Sequence, residues 1–440
     1  MGLRDLPFEI LIRICSYLRG STCRERPNKD IKAVRLASRE LAAAGVLSLI
    51  NCMPFAPYDP CLDTLLTISR DNTLRHYVRE LSCDDSHLPV DVVHKWKKTW
   101  NASISRMFKN DPKAMAEGQR IYQRILNAAY DIKEEGKDLD VLCLALPKFP
   151  NLRKITISDG INGAPFTQQF LRATSWFPKG DMPGPQLWDE DPNLGRLWMR
   201  HETPYPSFMT VFRALSKTNH EIHNLVVEGQ VCGISSDVLD MLGEFSSLFE
   251  DAINVFRHLR SVRLALDTNP PYSQWATKSI KGNFLGPCLA IARSLESITL
   301  ISKDGTREIN GCLCILELWD VFGSTKWPLL QYFELGEWMI SADELFKVLE
   351  VHSETLKLVV LRQLLLSDSL WEIFFDHVRD AFTVAWTHVK FTALEDRDRA
   401  PFDIASVEVL GFLRDGAEKP VYRQCYNPDA EDDKGSEASE

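Results

Sequence analysis

SLESITL, residues 294–300, places Leu295, Ile298 and Leu300 at the spacing apolar-x-x-apolar-x-apolar, and this short motif decides how the chain folds. The same spacing returns in YVRELSC (Val78, Leu81, Cys83), NLRKITI (Leu152, Ile155, Ile157), IHNLVV (Ile222, Leu225, Val227), HLRSVRL (Leu259, Val262, Leu264), LLQYFEL (Leu330, Phe333, Leu335) and TLKLVVL (Leu356, Val359, Leu361). Alternation over the last three positions is the signature of a half-buried strand. The leading residues recur at 37, 36, 35 and 26 positions from Ile222 onward, and the two earlier gaps of 74 and 70 are near twice that unit. A periodic short strand that cannot bury its own apolar face implies stacking of neighbours into one parallel sheet, as in a solenoid. The competing reading is an ordinary α/β domain whose strands share this spacing.

The segments between the strands carry helical periodicity. Residues 91–111 and 113–135 do so, the second through Ile121, Ile125 and Ala128. Leu139–Leu146 runs into Pro147, which ends it before the strand at Leu152. Asp343–Val351 presents Leu345, Val348 and Leu349 on one face, and Ser367–Val378 presents Leu370, Ile373, Phe374 and Val378. Strand and helix in alternation give an α/β chain of short parallel strands.

Three stretches break the rhythm. Residues 51–63 hold three prolines and read as a turn-rich junction. Residues 159–207 form an insertion rich in Pro and Gly, with Trp176, Trp188 and Trp198 as candidate substrate-binding side chains, since tryptophans bury large areas at contacts. The alternative is that these rings pack back on the array. From Asn427 the chain is acidic and lacks aromatics, and disorder is expected of residues 427–440.

Ahead of the strands lies a helical segment from Leu6 to Ile50. LPFEILIRICSYL carries Ile10, Leu11, Ile14, Tyr17 and Leu18 at helical spacing, with Pro7 at the opening and Glu9 in the first turn. An eleven-residue polar loop (Arg19–Lys29) follows. Asp30 can cap a second helix bearing Ile31, Val34 and Leu36, and Ser38 a third bearing Leu41, Leu47 and Ile50. Three helices of this size bury little core alone, so the rest of the chain or a partner must cover them.

The run Leu6-Pro7-x-Glu9-Ile10-x-x-x-Ile14-x-x-x-Leu18, followed by Leu36-x-Ser38-Arg39-x-Leu41, resembles an F-box. The loop at Arg19–Lys29 is longer than that family's usual connection. The strand pattern resembles irregular leucine-rich repeats, although its units exceed the usual 20–29 residues and the Asn or Cys ladder position is not regularly filled. The resemblance implies an F-box at 1–52, a linker and first helix at 53–76, and a leucine-rich-repeat-like substrate-recognition domain at 77–415. It implies an adaptor and not an enzyme. Leu6, Pro7, Ile10, Ile14, Leu18, Leu36 and Leu41 would lie in or beneath the contact with the Skp adaptor of a cullin–RING ubiquitin ligase, and the array would hold a protein substrate. The alternative is a repeat scaffold unrelated to ubiquitin, whose N-terminal helices cap the array.

Composition is that of an ordinary soluble globular chain, 45% hydrophobic and 25% charged over 440 residues. A net charge of −10 argues against general binding to nucleic acid or anionic membrane. No run is long enough to span a bilayer, and Glu9 and Arg13 interrupt any secretory-signal pattern, so cytoplasm or nucleus is expected. Eleven cysteines without a Cys-x-x-Cys fit free thiols; the close pair Cys312-x-Cys314 has no nearby His at ligand spacing. No phosphate loop, dinucleotide fingerprint, nucleophile elbow or zinc-protease motif occurs, so no cofactor, metal or catalytic residue is expected. His220 and His223 read as surface or capping residues. Lys95-Trp96-Lys97-Lys98-Thr99-Trp100 reads as a helix face with both tryptophans inward, the alternative being base stacking.

Overall fold

The structure is a computed structural model that describes residues 6–18, 29–84, 131–158, 206–228, 246–267, 284–302, 316–381, 386–394 and 406–415. It also describes positions 113, 120, 124, 127–129, 234–235, 402–404 and 423–424. The chain divides into two compact units, 1–267 and 268–440, and each is an α/β arrangement of parallel strands and helices.

The first unit begins with α1 (Phe8–Leu18), α2 (Lys29–Arg35) and α3 (Arg39–Ile50). Strands β1 (Cys52–Phe55), β2 (Glu80–Asp84), β3 (Lys154–Ser158), β4 (Asn224–Glu228) and β6 (Ser261–Asp267) then lie side by side in that order. All are parallel, and the two-residue β5 (Ile234–Ser235) pairs with the end of β6. Met53, Leu81, Ile155, Leu225 and Val262 fall in one register row, and Phe55, Cys83, Ile157, Val227 and Leu264 in another. Every one is buried, at about 1.5–3 kcal/mol per large side chain removed from water. Helices α4 (Asp59–Arg70), α5 (Lys137–Ala145), α6 (Pro206–Thr218) and α7 (Ser246–Phe256) pack in chain order, each on the next. Phe212 of α6 meets Phe256 of α7 at 6.1 Å between ring centres. Gly136 precedes α5 at φ +67°, a left-handed conformation that favours glycine.

The second unit contains β7 (Ser297–Ser302), β8 (Tyr332–Gly336), β10 (Leu358–Arg362) and β12 (His388–Leu394), paired in parallel in that order. β13 (Phe402–Ile404) and β14 (Arg423–Gln424) add on antiparallel. Ile298, Phe333, Val359 and Val389 form one buried row; Leu300, Leu335, Leu361 and Phe391 form the next. Its helices are α8 (Leu285–Ile291), α9 (Leu318–Phe322), α10 (Ala342–Val351), α11 (Trp371–Ala381) and α12 (Ser406–Asp415). After β8 and β10 the chain turns through Glu337 and Gln363, at φ +65° and +50°, into the small parallel pair β9 (Met339–Ile340) and β11 (Leu365–Leu366). Asp368, just past β11, accepts from Ser341 Oγ and Ala342 N, both at 2.7 Å, and so caps α10.

One backbone device recurs in both units. The carbonyl of Asn51 accepts the N–H groups of Arg79 and Glu80; that of Arg79 accepts from Arg153 and Lys154; Arg153 from His223 and Asn224; His223 from Arg260 and Ser261. In the second unit Glu296, Gln331 and Lys357 do the same for the strand that follows each. Strands β2, β3, β4, β6, β8, β10 and β12 therefore each start by giving two donors to one acceptor at the start of the strand before, which satisfies that rim without side chains.

All seven sequence motifs fall on β2, β3, β4, β6, β7, β8 and β10, with their leading residues buried just before each strand. Several finer expectations are corrected. The supposed turn-rich junction contains β1, because Pro54 sits exposed on an edge strand where its missing N–H is harmless. The motif thus has one more copy, Ile50, Met53 and Phe55, and Trp386, Val389 and Phe391 supply another at β12. Leu36 lies beyond the end of α2, and Asp30 falls inside its first turn, not ahead of it. On α11 the buried face is Trp371, Phe374, Phe375 and Val378, while Ile373 is 59% exposed; the helix is rotated because the tryptophan fills more core than leucine. Pro147 lies in a 3-10 turn (Leu146–Lys148) directly after α5.

Candidate functional site

Two surfaces collect the candidate residues. The first is the helical module. Pro7 leaves its carbonyl to accept from Ile10 N and Leu11 N at 3.0 and 3.2 Å, which starts α1. Leu11 and Cys15, four apart, then face α3 and close a minimal core with Leu41 and Ala44, edged by Leu6, Ile12 and Val34. Ser38 caps α3 by accepting from Leu41 N at 3.1 Å, and Ser48 Oγ donates to the Ile12 carbonyl at 3.4 Å, tying α3 to α1. Gly45 lets α2 approach: a Cβ there would overlap the Arg35 side chain and sit 3.2 Å from Ile31 Cγ2.

The seven residues assigned to adaptor docking distribute as follows. Leu41 is buried in the module core, Leu6 and Ile14 are half-buried, and Pro7 is exposed. Ile10 is 41% and Leu36 89% exposed. Leu18 ends α1, and its side chain lies outside the described residues. Phe8, 39% exposed beside Pro7, belongs with the exposed apolar group although the spacing did not single it out. Trp176, Trp188 and Trp198, with the 159–207 insertion as far as residue 205, the segment at Lys95–Trp100, Cys312 and Cys314, and the acidic tail lie outside the described residues, while the insertion's last two residues, Pro206 and Ser207, open α6.

The second surface is the face of each sheet opposite the buried rows. In the first unit it is polar and internally paired. Lys154 lies 3.2 Å from Glu80, Thr156 Oγ1 donates to the same carboxylate at 2.8 Å, and Arg263 lies 3.4 Å from Glu228. In the second unit Glu334, 1% exposed, accepts from Tyr332 Oη at 2.6 Å and Thr299 Oγ1 at 3.3 Å, with Arg362 Nη2 at 3.1 Å from its other oxygen. A buried carboxylate so surrounded holds neighbouring strands together; leaving it alone there would cost several kcal/mol.

Burial pushes the Cys15, Cys143 and Cys288 thiols up, which disfavours the nucleophilic thiolate. His220 is pulled below its ordinary value by burial, against a hydrogen bond to the Leu152 carbonyl. Among the described residues no group of three or more His, Cys, Asp or Glu is placed to hold a metal, and no helix is long and apolar enough to cross a membrane. A pocket of about 290 Å³ between α10 and α11 includes Asp343, Asp368 and His377, but both Asp368 oxygens are committed to the α10 cap and the His377 ring stacks on Phe346 at 4.1 Å. No family model matches the chain, and no curated protein matches it.

Proposed function

We propose that the chain is the substrate-recognition adaptor of an SCF-type ubiquitin ligase. In this reading α1–α3 are an F-box that docks on a Skp-type adaptor and through it on a cullin, and the strand–helix array is an irregular leucine-rich-repeat-like solenoid that holds a protein substrate. The protein brings the substrate to the transfer machinery, so the rate gain is one of proximity and the bond-making lies on other subunits. The carrying observation is exposure. The module spends Leu11, Cys15 and Leu41 on its own core yet leaves Phe8, Ile10 and Leu36 in water. Apolar side chains left open contribute nothing to this chain's stability and suit a docking partner.

A second reading is favoured by a different observation. Asn51, at the end of α3, accepts the N–H groups of Arg79 and Glu80 at 2.9 and 3.0 Å, so the module is bonded to the first paired strands as a cap would be. Co-expression with a Skp adaptor and size exclusion separates the two. A one-to-one complex that Leu6→Ala with Pro7→Ala disrupts, with the circular dichroism unchanged, supports docking. A chain that elutes alone in the adaptor's presence makes α1–α3 a cap and removes the ubiquitin reading.

A further inference from the structure

In the first unit, the position that builds the carbonyl ladder is occupied on four successive strands by Arg79, Arg153, His223 and Arg260. Their next residues, Glu80, Lys154, Asn224 and Ser261, are paired Cα to Cα, so the four stand in one row across β2, β3, β4 and β6. The three arginines are exposed and carry the row's charge; His223 is half-buried, and burial, then Arg260 and Arg153, pull it below its ordinary value, which favours the neutral ring. Backbone geometry does not ask for cations here. The same ladder in the second unit carries Glu296, Gln331 and Lys357, ending at Thr387. The charge is a property of the first unit's row, in a chain whose net charge is −10.

Two acids near Arg79, Asp71 and Glu80, have partners of their own. Asp71 accepts from Thr73 N and Leu74 N at 2.8 Å. Glu80 is held by Lys154 and Thr156. Glu221 Oε1 lies 3.8 Å from His258 Nδ1, and Arg153 Nη1 donates to the Leu152 carbonyl at 3.0 Å and to that of Glu221 at 3.5 Å. Arg75, in the 3-10 turn Leu74–Tyr77 ahead of β2, and Arg257, on the loop leading into β6, add charge. Neighbouring strands stand about 4.8 Å apart, so the row extends roughly 14 Å, the reach of four or five residues of extended chain. Three guanidinium groups spread along such a row suit carboxylates carried on an extended segment, each of which a guanidinium can grip with two N–H groups. The row itself offers one half-buried imidazole and no Trp, Tyr or Phe ring on which bases would stack.

We propose that this rim docks an extended acidic segment of a partner protein. The proposal goes beyond the adaptor reading and does not depend on α1–α3.

The test is fluorescence anisotropy of the full chain with a labelled peptide of alternating Glu and Gly. The expected result is saturable binding that weakens as salt is raised. Arg79→Ala with Arg153→Ala and Arg260→Ala should weaken it about ten-fold or more. The same three changed to Lys should keep most of it, and Lys357→Ala in the second unit should leave it unchanged. If the triple alanine variant loses its circular dichroism, the single Arg79→Glu change at an exposed side chain reads the same loss. Absence of saturable binding, or equal binding by the variants, overturns the proposal. Tighter binding of a single-stranded oligonucleotide than of the peptide also overturns it, in favour of nucleic acid.

Discussion

His352 Nε2 accepts the backbone N–H of Trp327 at 3.2 Å, and the two rings stack with centres 5.3 Å apart. Nδ1 of the same ring lies 2.8 Å from the Val348 carbonyl, which requires the proton on Nδ1 and leaves Nε2 free to accept. Trp327 in turn donates its indole N–H to Leu289 at 3.0 Å, so one neutral imidazole stands behind the link from α10 to α8.

Burial, and then the nearby Lys326 charge, hold His352 below its ordinary value, with the Val348 bond opposing them. A group depressed in the folded state gives stability that is present above its unfolded value, about 6.5 for histidine, and is lost as pH falls from there through the folded value. Thermal unfolding should therefore show the second unit weakening in mild acid. His352→Gln should flatten that dependence relative to the parent chain; an unchanged slope would remove His352 as its source.

Asp138 titrates in the opposite sense. It is buried near the start of α5, and burial raises its carboxyl above the ordinary range despite bonds from Leu139 N at 2.8 Å and Thr210 Oγ1 at 3.4 Å. Its contribution is full below the unfolded value and is lost as pH rises through the folded one. Asp138→Asn keeps one oxygen to accept from Leu139 N and turns the other into an amide N–H that can donate to Thr210 Oγ1, without the charge. It should raise the melting temperature at neutral pH and have no effect below the ordinary carboxylate range of about 3.9.

Gly286 sits where α8 crosses α9. A Cβ there would come within 2.9 Å of the Asp320 carbonyl and 3.3 Å of that of Val321, and backbone cannot step aside as a side chain can. Helix propensity alone favours alanine by about 1 kcal/mol; the crossing predicts a loss of about 1–3 kcal/mol. Denaturant unfolding of Gly286→Ala gives the sign directly.

Folding and docking should separate within the helical module. Leu36→Ser, at a fully solvated side chain, should change stability by no more than about 0.5 kcal/mol, whereas Leu41→Ala should cost about 2–5 kcal/mol. If the module docks on an adaptor, Leu36→Ser weakens the complex while the melting curve stays in place. A melting curve that moves with Leu36→Ser would contradict its exposure.

The strands were legible because burial on a pleated sheet imposes a period of two, and Leu81, Ile155, Leu225 and Val262 obey it. The outer copies were hidden for local reasons: Pro54 looked like a turn signal, and Trp386 and Phe391 put aromatic rings where the other copies are mostly aliphatic. The orientation of α11 was missed because Trp371 and Ile373 compete for the core and only packing decides between them. On the module, helical spacing found Ile10 and Leu41 alike, but could not say that one faces water and the other the core. The Arg79, Arg153, His223 and Arg260 row was invisible in a different way. Each arginine is an ordinary surface charge and His223 a half-buried imidazole in its own segment, and only strand register, spanning up to 74 residues of chain between neighbours, sets them together.

The carbonyl ladder has an evolutionary consequence. Each strand of the ladder is aligned by one backbone oxygen at the start of the strand before it, whatever side chain stands there and however much chain intervenes; the intervals run from 26 to 74 residues. Such a joint is indifferent to insertion. A lineage can lengthen or replace the connection between two strands and still dock the next one in place, so new recognition surfaces can be tried without renegotiating the core.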